Sequence, residues 1–236
     1  MKNGISSWPK TLIAVDVLAL LGLAFASYMV FVYAPIEAVM GPVQKVFYFH
    51  VATGWVGMLG FGAAVVAGIA YLITRKTIWD LVGLGAIEIG LVFMLINIAT
   101  GSIWARPIWN TWWTWDPRLT TATIMELVYA AYLMLRGGVE DPEKRARFGA
   151  IYAIIGFISV PLTFFSIRIY RTIHPLVIGG NDPTADGSFA MTPAMSTTFM
   201  VALIVFTVVY ISLLWHRIRL GQLGERVERL RIKHSA

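Results

Sequence analysis

The chain contains no cysteine. Disulfides, thiolate metal ligands, thiol redox chemistry and thioether attachment of a cofactor are therefore excluded. Charge is scarce too, at 14% of 236 residues, against 58% hydrophobic residues and a mean hydropathy of +0.71. A water-soluble domain of this length needs far more polar surface. The long apolar runs lack the polar–apolar alternation of a transmembrane β-barrel. Lipid offers backbone groups no partners outside the segment, so helices remain. Internal repeats and low-complexity tracts are also missing.

What is present is a set of apolar stretches near the ~20 residues that a spanning helix needs. Six qualify: 11–34, 50–73, 78–100, 119–135, 148–170 and 197–215. Together they take up more than half of the chain and leave no room for a soluble domain. The expected fold class is all-α, a polytopic integral membrane protein whose residues 1–236 form one domain of six transmembrane helices. The fourth stretch is the shortest. The first resembles a signal peptide, with Lys2 and Lys10 before it and Ala24-Phe25-Ala26 as a cleavage-like site. Its apolar run continues to Tyr33, however, which reads as a retained helix.

A net charge of +6 and a pI near 9.7 are compatible with nucleic-acid binding, but the positions of the charges argue against it. Fourteen of the 19 Lys and Arg residues fall at the N-terminus, in the two short loops containing Arg75-Lys76 and Arg136–Arg147, and in the tail after Trp215. Only Lys45, Arg106, Arg118, Arg168 and Arg171 fall on the other side. This asymmetry is the positive-inside rule, and it predicts that both N- and C-termini are cytoplasmic. The basic, partly amphipathic stretch 220–232 is expected to lie along the cytoplasmic interface. Unusual chemistry is confined to the outer connections: 34–49, the loop 101–118, and 171–196 with its turn-forming Gly179-Gly180-Asn181-Asp182-Pro183.

The outer loop 101–118 holds Trp104, Trp109, Trp112, Trp113 and Trp115, followed by Asp116. Nine tryptophans in the chain predict roughly half of one in a twelve-residue window such as 104–115. An interfacial aromatic belt accounts for one or two per helix end. Five in one loop point to a platform for a large, flat, apolar ligand, because indole faces stack at small entropic cost. Of the four histidines, His216 and His234 sit on the basic tail and read as solvated. His50 and His174 stand at matching depth at outer helix ends, on either side of the tryptophan loop in sequence. Imidazole is a common metal ligand and a frequent axial ligand of haem iron. Two histidines without cysteine or a carboxylate cluster do not complete a structural zinc site.

Arg106, Arg118, Arg168 and Arg171 lie where the positive-inside rule leaves cations depleted, and guanidinium is the preferred bidentate partner of a carboxylate. Haem has an iron, a flat apolar ring and two carboxylates, and would use all three groups. Within the spans, Glu88 and Glu126 are intramembrane carboxyls. They read equally as functional groups or as protonated groups between packed helices. Asp16 reads as a helix-terminus residue.

The run Trp109-Asn110-Thr111-Trp112-Trp113-Thr114-Trp115-Asp116-Pro117-Arg118-Leu119-Thr120 resembles the WWD signature of membrane haem-handling proteins of cytochrome c maturation. With one histidine before the second span and one after the fifth, the chain is similar over its whole length to the CcmC family. Larger WWD relatives, of the CcmF and CcsA type, have more spans and more histidines. Members of the family have glycine where Asn110 stands, and asparagine tolerates the positive φ of such a turn. They also carry two tryptophans near the positions of Ile169 and Tyr170.

The resemblance implies haem b held non-covalently at the extracytoplasmic face of a bacterial cytoplasmic (inner) membrane, with His50 and His174 as axial ligands. Trp104, Trp109, Trp112, Trp113, Trp115 and Asp116 would form the platform, with Arg118 beside it and Arg106, Arg118 or Arg171 for the propionates. Its implied partners are a membrane-anchored, CcmE-like haem chaperone and an ABC transporter-like complex of CcmA, CcmB and CcmD type, with 171–196 as a docking element. The implied activity is binding and delivery, not enzymatic catalysis. Three rivals are a compact haem lyase acting directly on apocytochrome, a proton-coupled solute transporter using Glu88 and Glu126, and a b-type electron-transfer subunit.

Overall fold

A computed structural model of the chain describes residues 8–175 and 191–235. The described residues form seven helices: α1 (Lys10–Tyr28, prolonged by a π-helical turn, Met29–Tyr33), α2 (Lys45–Thr74), α3 (Thr77–Trp109), α4 (Pro117–Gly137), α5 (Pro142–Gly156), α6 (Ser159–Ile169) and α7 (Pro193–Ser235). No β-strand occurs among them, only an isolated bridge between Glu37 and Gly41. The all-helical expectation holds.

Among the described residues, five helical segments are long and apolar enough to cross a membrane: Lys10–Tyr33, Pro42–Thr74, Thr77–Trp109, Pro142–Ile169 and Pro193–His234. The expected fourth span, 119–135, falls in α4, which is less apolar. Its polar and aromatic residues Glu126, Tyr129, Tyr132 and Arg136 share one buried face, while Ile124, Leu127 and Met134 point outward. α4 runs back along α3: it begins beside the end of α3, and its last-turn Arg136 pairs with Asp80 in the first turn of α3.

Several boundaries differ from the hydropathy reading. The loop 101–118 is only half a loop, because α3 continues through Trp104 and Pro107 to Trp109 and ends at Asn110, φ 53°. The helix is carried past Pro107 and stops where Asn110 takes the left-handed conformation. The expected span 148–170 is interrupted after Gly156 and resumes at Ser159. Pro161 cannot donate to the carbonyl of residue 157 and crowds it, which accounts for the break. The tail 220–232 is no separate interfacial helix but the continuation of α7, which runs for 43 residues. At ~1.5 Å per residue it extends about 64 Å, about twice the hydrocarbon core.

α2 and α3 form the central pair. They approach so closely that a Cβ on Gly60 would meet the Ala86 carbonyl oxygen at 2.7 Å, and one on Gly90 the Phe61 ring at 2.9 Å. One apolar core joins α2 and α3 to α4 and α5, with Phe61 and Tyr129 stacked at 3.6 Å. The other joins α2 and α3 to α1 and α7 around Tyr48, Phe93 and Phe199.

Ion pairs gather at the end of the bundle opposite Trp109. Arg136 donates to both carboxylate oxygens of Asp80, at 2.5 and 2.8 Å. Arg217 grips Glu88 through Nε and through Nη2 at 2.9 Å. Asp16 accepts from Ser212 at 2.6 Å and pairs with His216 at 3.0 Å, while the Trp8 ring lies 5.1 Å from the imidazole. His216 is thus not a solvated tail residue, and Asp16 does more than face a helix terminus: it ties α1 to α7. Glu88 is occupied by an arginine. Glu126 is buried, and its Oε2 has no hydrogen-bond partner among the described residues.

Candidate functional site

At the other end of the bundle α2, α3, α4, α6, α7 and the segment after α6 surround a cleft of about 1240 Å³, its open mouth included. The walls are mainly apolar and include Trp55, Met58, Met94 and Leu203. His50 and His174, 124 positions apart in sequence, both line it, and their ring centroids stand 6.4 Å apart.

The two histidines are held differently. His50 lies in the second turn of α2, and its Nδ1 is 2.9 Å from the Asn97 carbonyl oxygen on α3. Donation to that carbonyl puts the proton on Nδ1 and leaves Nε2 as the free base, the tautomer-fixing arrangement common to metal-bound imidazoles. The Asn97 amide also donates to the His50 carbonyl oxygen at 2.6 Å. Room for this comes from two glycines: a Cβ on Gly101 would meet His50 Cε1 at 2.8 Å, and one on Gly54 would meet the Asn97 amide nitrogen at 2.8 Å. His174 lies outside the helices. Its Nδ1 is 3.3 Å from the Pro175 carbonyl oxygen, and its backbone N–H donates to Thr172 Oγ1 at 3.1 Å. Burial, the nearby Arg118 charge and the neighbouring His50 push the His174 pKa down to about 3. It is therefore a neutral imidazole at physiological pH, the form that binds metal.

The tryptophans divide into two groups. Trp104, Trp109, Trp112 and Trp113 line the cleft. Trp104 and Trp109 meet edge to face at 5.1 Å, and Trp109 stands 6.4 Å from the His174 ring. The buried Trp104 Nε1 has no hydrogen-bond partner among the described residues. Trp115 lies off the lining, packs edge-on against Trp113 at 5.7 Å and is 72% exposed. Asp116 is not on the lining either. It caps α4, accepting from the Leu119 N–H at 3.0 Å, and its other oxygen accepts from the Thr172 hydroxyl.

Of the outer arginines, Arg118 and Arg168 line the cleft. Arg118 also donates to the Thr163 carbonyl oxygen, stitching α4 to α6. Arg171 is exposed and off the lining. Arg106 closes the end of α3, donating to the Asn110 carbonyl and side-chain oxygens at 2.6 and 2.9 Å. Besides apolar lining residues such as Trp55, Met58, Met94 and Leu203, sequence reasoning did not assign three residues to the site: Asn97, Gly101 and Thr172. Asn97 had a signal, an amide within a span, whereas the other two are ordinary residues whose partners appear only in three dimensions. Lys2, the turn 179–183 and most of the expected docking element lie outside the described residues.

This arrangement offers two neutral imidazoles across an aromatic, apolar cleft with guanidinium groups on its wall. Among the described residues no group of three or more His, Cys, Asp or Glu gathers to hold a metal ion alone. A metal bound here would have to come with ligands of its own.

Comparison with known proteins agrees with this chemistry. The family model described as "Heme exporter protein C" matches residues 5–233. The chain is 30% identical over 207 residues to a protein of that name from Bradyrhizobium diazoefficiens, covering 86% of this chain and 76% of that protein. It is 28% identical over 226 residues to the one from Haemophilus influenzae, covering 96% and 87%. With the one from Escherichia coli K12 it shares 29% identity over 144 residues, 61% of this chain and 59% of that protein. By the match along nearly its whole length, this chain belongs to the Heme exporter protein C family.

Proposed function

We propose that the protein holds haem b at the extracytoplasmic face of a bacterial inner membrane, between His50 and His174, and delivers it to a haem chaperone for cytochrome c maturation. The observation that carries this reading is the spacing of the two imidazoles. With a metal–nitrogen bond of about 2.0 Å and about 1.1 Å from nitrogen to ring centre, two imidazoles on opposite faces of one metal stand about 6.2 Å apart, centre to centre. The ring centres here are 6.4 Å apart. The His50 tautomer leaves Nε2 for the iron. Trp104, Trp109, Trp112 and Trp113 supply apolar and aromatic surface for a flat ring. Arg118 and Arg168 on the lining suit the two propionates, and Trp104 Nε1 is a third donor. Arg171 and Trp115 are better read as outer rim.

Haem is the cargo in this account, and the chain's own contribution is binding, orientation and release. A cleft with an open mouth, and one ligand outside any helix, suits release. Six crossings complete the topology, with α4 as the sixth: its polar face turns inward, and its last-turn Arg136 reaches Asp80 in the first turn of α3. An even number of crossings puts both termini on the side where the basic residues gather, and the cleft opposite. An ABC transporter-like complex and a membrane-anchored chaperone are the partners this family relationship suggests. The transporter reading loses ground, because Glu88 is engaged by Arg217 and neither Glu88 nor Glu126 lines the cleft.

The test is transfer. Haem-loaded protein in detergent, mixed with the soluble domain of a haem chaperone, should lose haem to it. It should form no thioether cytochrome when given apocytochrome alone. Thioether formation without the chaperone would establish the lyase reading instead.

A further inference from the structure

The two histidines differ in how firmly they are held. His50 is part of a 30-residue helix and is braced from α3 by Asn97 on both its ring and its backbone. His174 belongs to a stretch without helix or strand, after α6 has ended at Ile169. Among the described residues, the hydrogen bond that fastens this stretch to the bundle is donated by Thr172 to Asp116 Oδ2. The same threonine oxygen then accepts the His174 backbone N–H at 3.1 Å. Asp116 is itself fixed, since its Oδ1 caps α4 and Pro117 opens that helix. One carboxylate therefore joins the end of the tryptophan loop to the segment bearing the second imidazole.

We propose that Asp116 and Thr172 form a latch that holds His174 in place, so that retention and release of haem are decided at the second ligand. This rests on the haem-holding reading above. With the latch closed, both imidazoles reach the iron. With it open, the His174 stretch loses its tie to α4 and the iron keeps only His50, leaving one face for an incoming ligand. The aspartate of the tryptophan-rich signature then acts as a positioning residue and not as part of the ring platform. A carboxylate is the right acceptor, because a charge-assisted hydrogen bond is stronger than a neutral one, yet a single such bond remains reversible.

The test compares full-length, haem-loaded wild type with Thr172→Val, which keeps the β-branched shape and removes the hydroxyl, and with Thr172→Ser, which restores it. Absorption spectra report coordination, and transfer to excess apo-globin reports the rate of haem loss. Thr172→Val should move the haem from low-spin towards high-spin and release it roughly tenfold faster or more. Added imidazole should return the low-spin spectrum, and Thr172→Ser should behave as wild type. Asp116→Asn keeps a cap for Leu119 and should shift the spectrum in the same direction as Thr172→Val. A wild-type spectrum and loss rate in both Thr172→Val and Asp116→Asn would overturn the latch while leaving the two ligands standing. A wild type without low-spin haem would overturn the reading beneath it.

Discussion

Replacing Gly101 with alanine should damage the proposed haem site while leaving the fold intact. Gly101 lies inside α3, where alanine is favoured over glycine by about 1 kcal/mol, so the helix itself has nothing to lose. The new Cβ would stand 2.8 Å from His50 Cε1 and 3.2 Å from its Nδ1. Ordinary contact begins at 3.4 Å, so the ring has to retreat by about 0.6 Å. The ring is planar and pinned through Nδ1 to the Asn97 carbonyl oxygen, and retreat lengthens that 2.9 Å bond and swings Nε2 away from the place proposed for the iron. Sites of this kind tolerate about 0.5 Å, and about 1 Å of misplacement costs on the order of a hundredfold in well-positioned chemistry. A tenfold or greater loss of haem affinity is therefore expected in Gly101→Ala, with a gain in high-spin character. Haem titration of the purified protein in detergent, followed by absorption, reads both, and thermal unfolding of the apoprotein reads stability. Wild-type affinity and a wild-type low-spin spectrum in this variant would refute the reasoning that His50 is held as a ligand by its packing.

Other outcomes follow from particular contacts. Asp80→Ala leaves the buried Arg136 guanidinium without its carboxylate and should cost about 3 kcal/mol or more, measured as a loss of thermal stability in detergent. Replacing Asp80 and Arg136 together by apolar residues should recover much of it. Trp109→Ala removes ring contacts to both Trp104 and His174 and should weaken haem binding by about tenfold, read by titration. Trp115→Phe should leave the same titration within about twofold of wild type, since Trp115 is off the cleft.

Helix content was legible in the sequence because hydropathy measures what lipid requires, but among the described residues five segments, not the six expected, are long and apolar enough to cross a membrane. Helix ends were not legible, because a helix stops at a cap or a breaker and not where the hydrocarbon does. α3 therefore carries Trp104 to Trp109 beyond the expected span, and α7 runs on through the basic tail. α4 shows the opposite limit: its inward polar face lowers the hydropathy of a helix that the sequence reading counted as a span. His50 and His174 could be singled out from residue type and position, and both line one cleft. Asp116 could be noticed but its partner could not, since Thr172 lies 56 positions away on a stretch without periodic pattern. The pairing of Asp16 with His216 spans 200 positions and hides behind the ordinary behaviour of tail histidines.

The most direct measurement of the central claim is an absorption spectrum, oxidised and reduced, of the purified protein from haem-replete cells, beside His50→Ala and His174→Ala. Low-spin haem in the wild type, lost or turned high-spin in each variant, is the predicted result. Unchanged low-spin haem in both variants, or a folded wild type that carries no haem, would contradict the account.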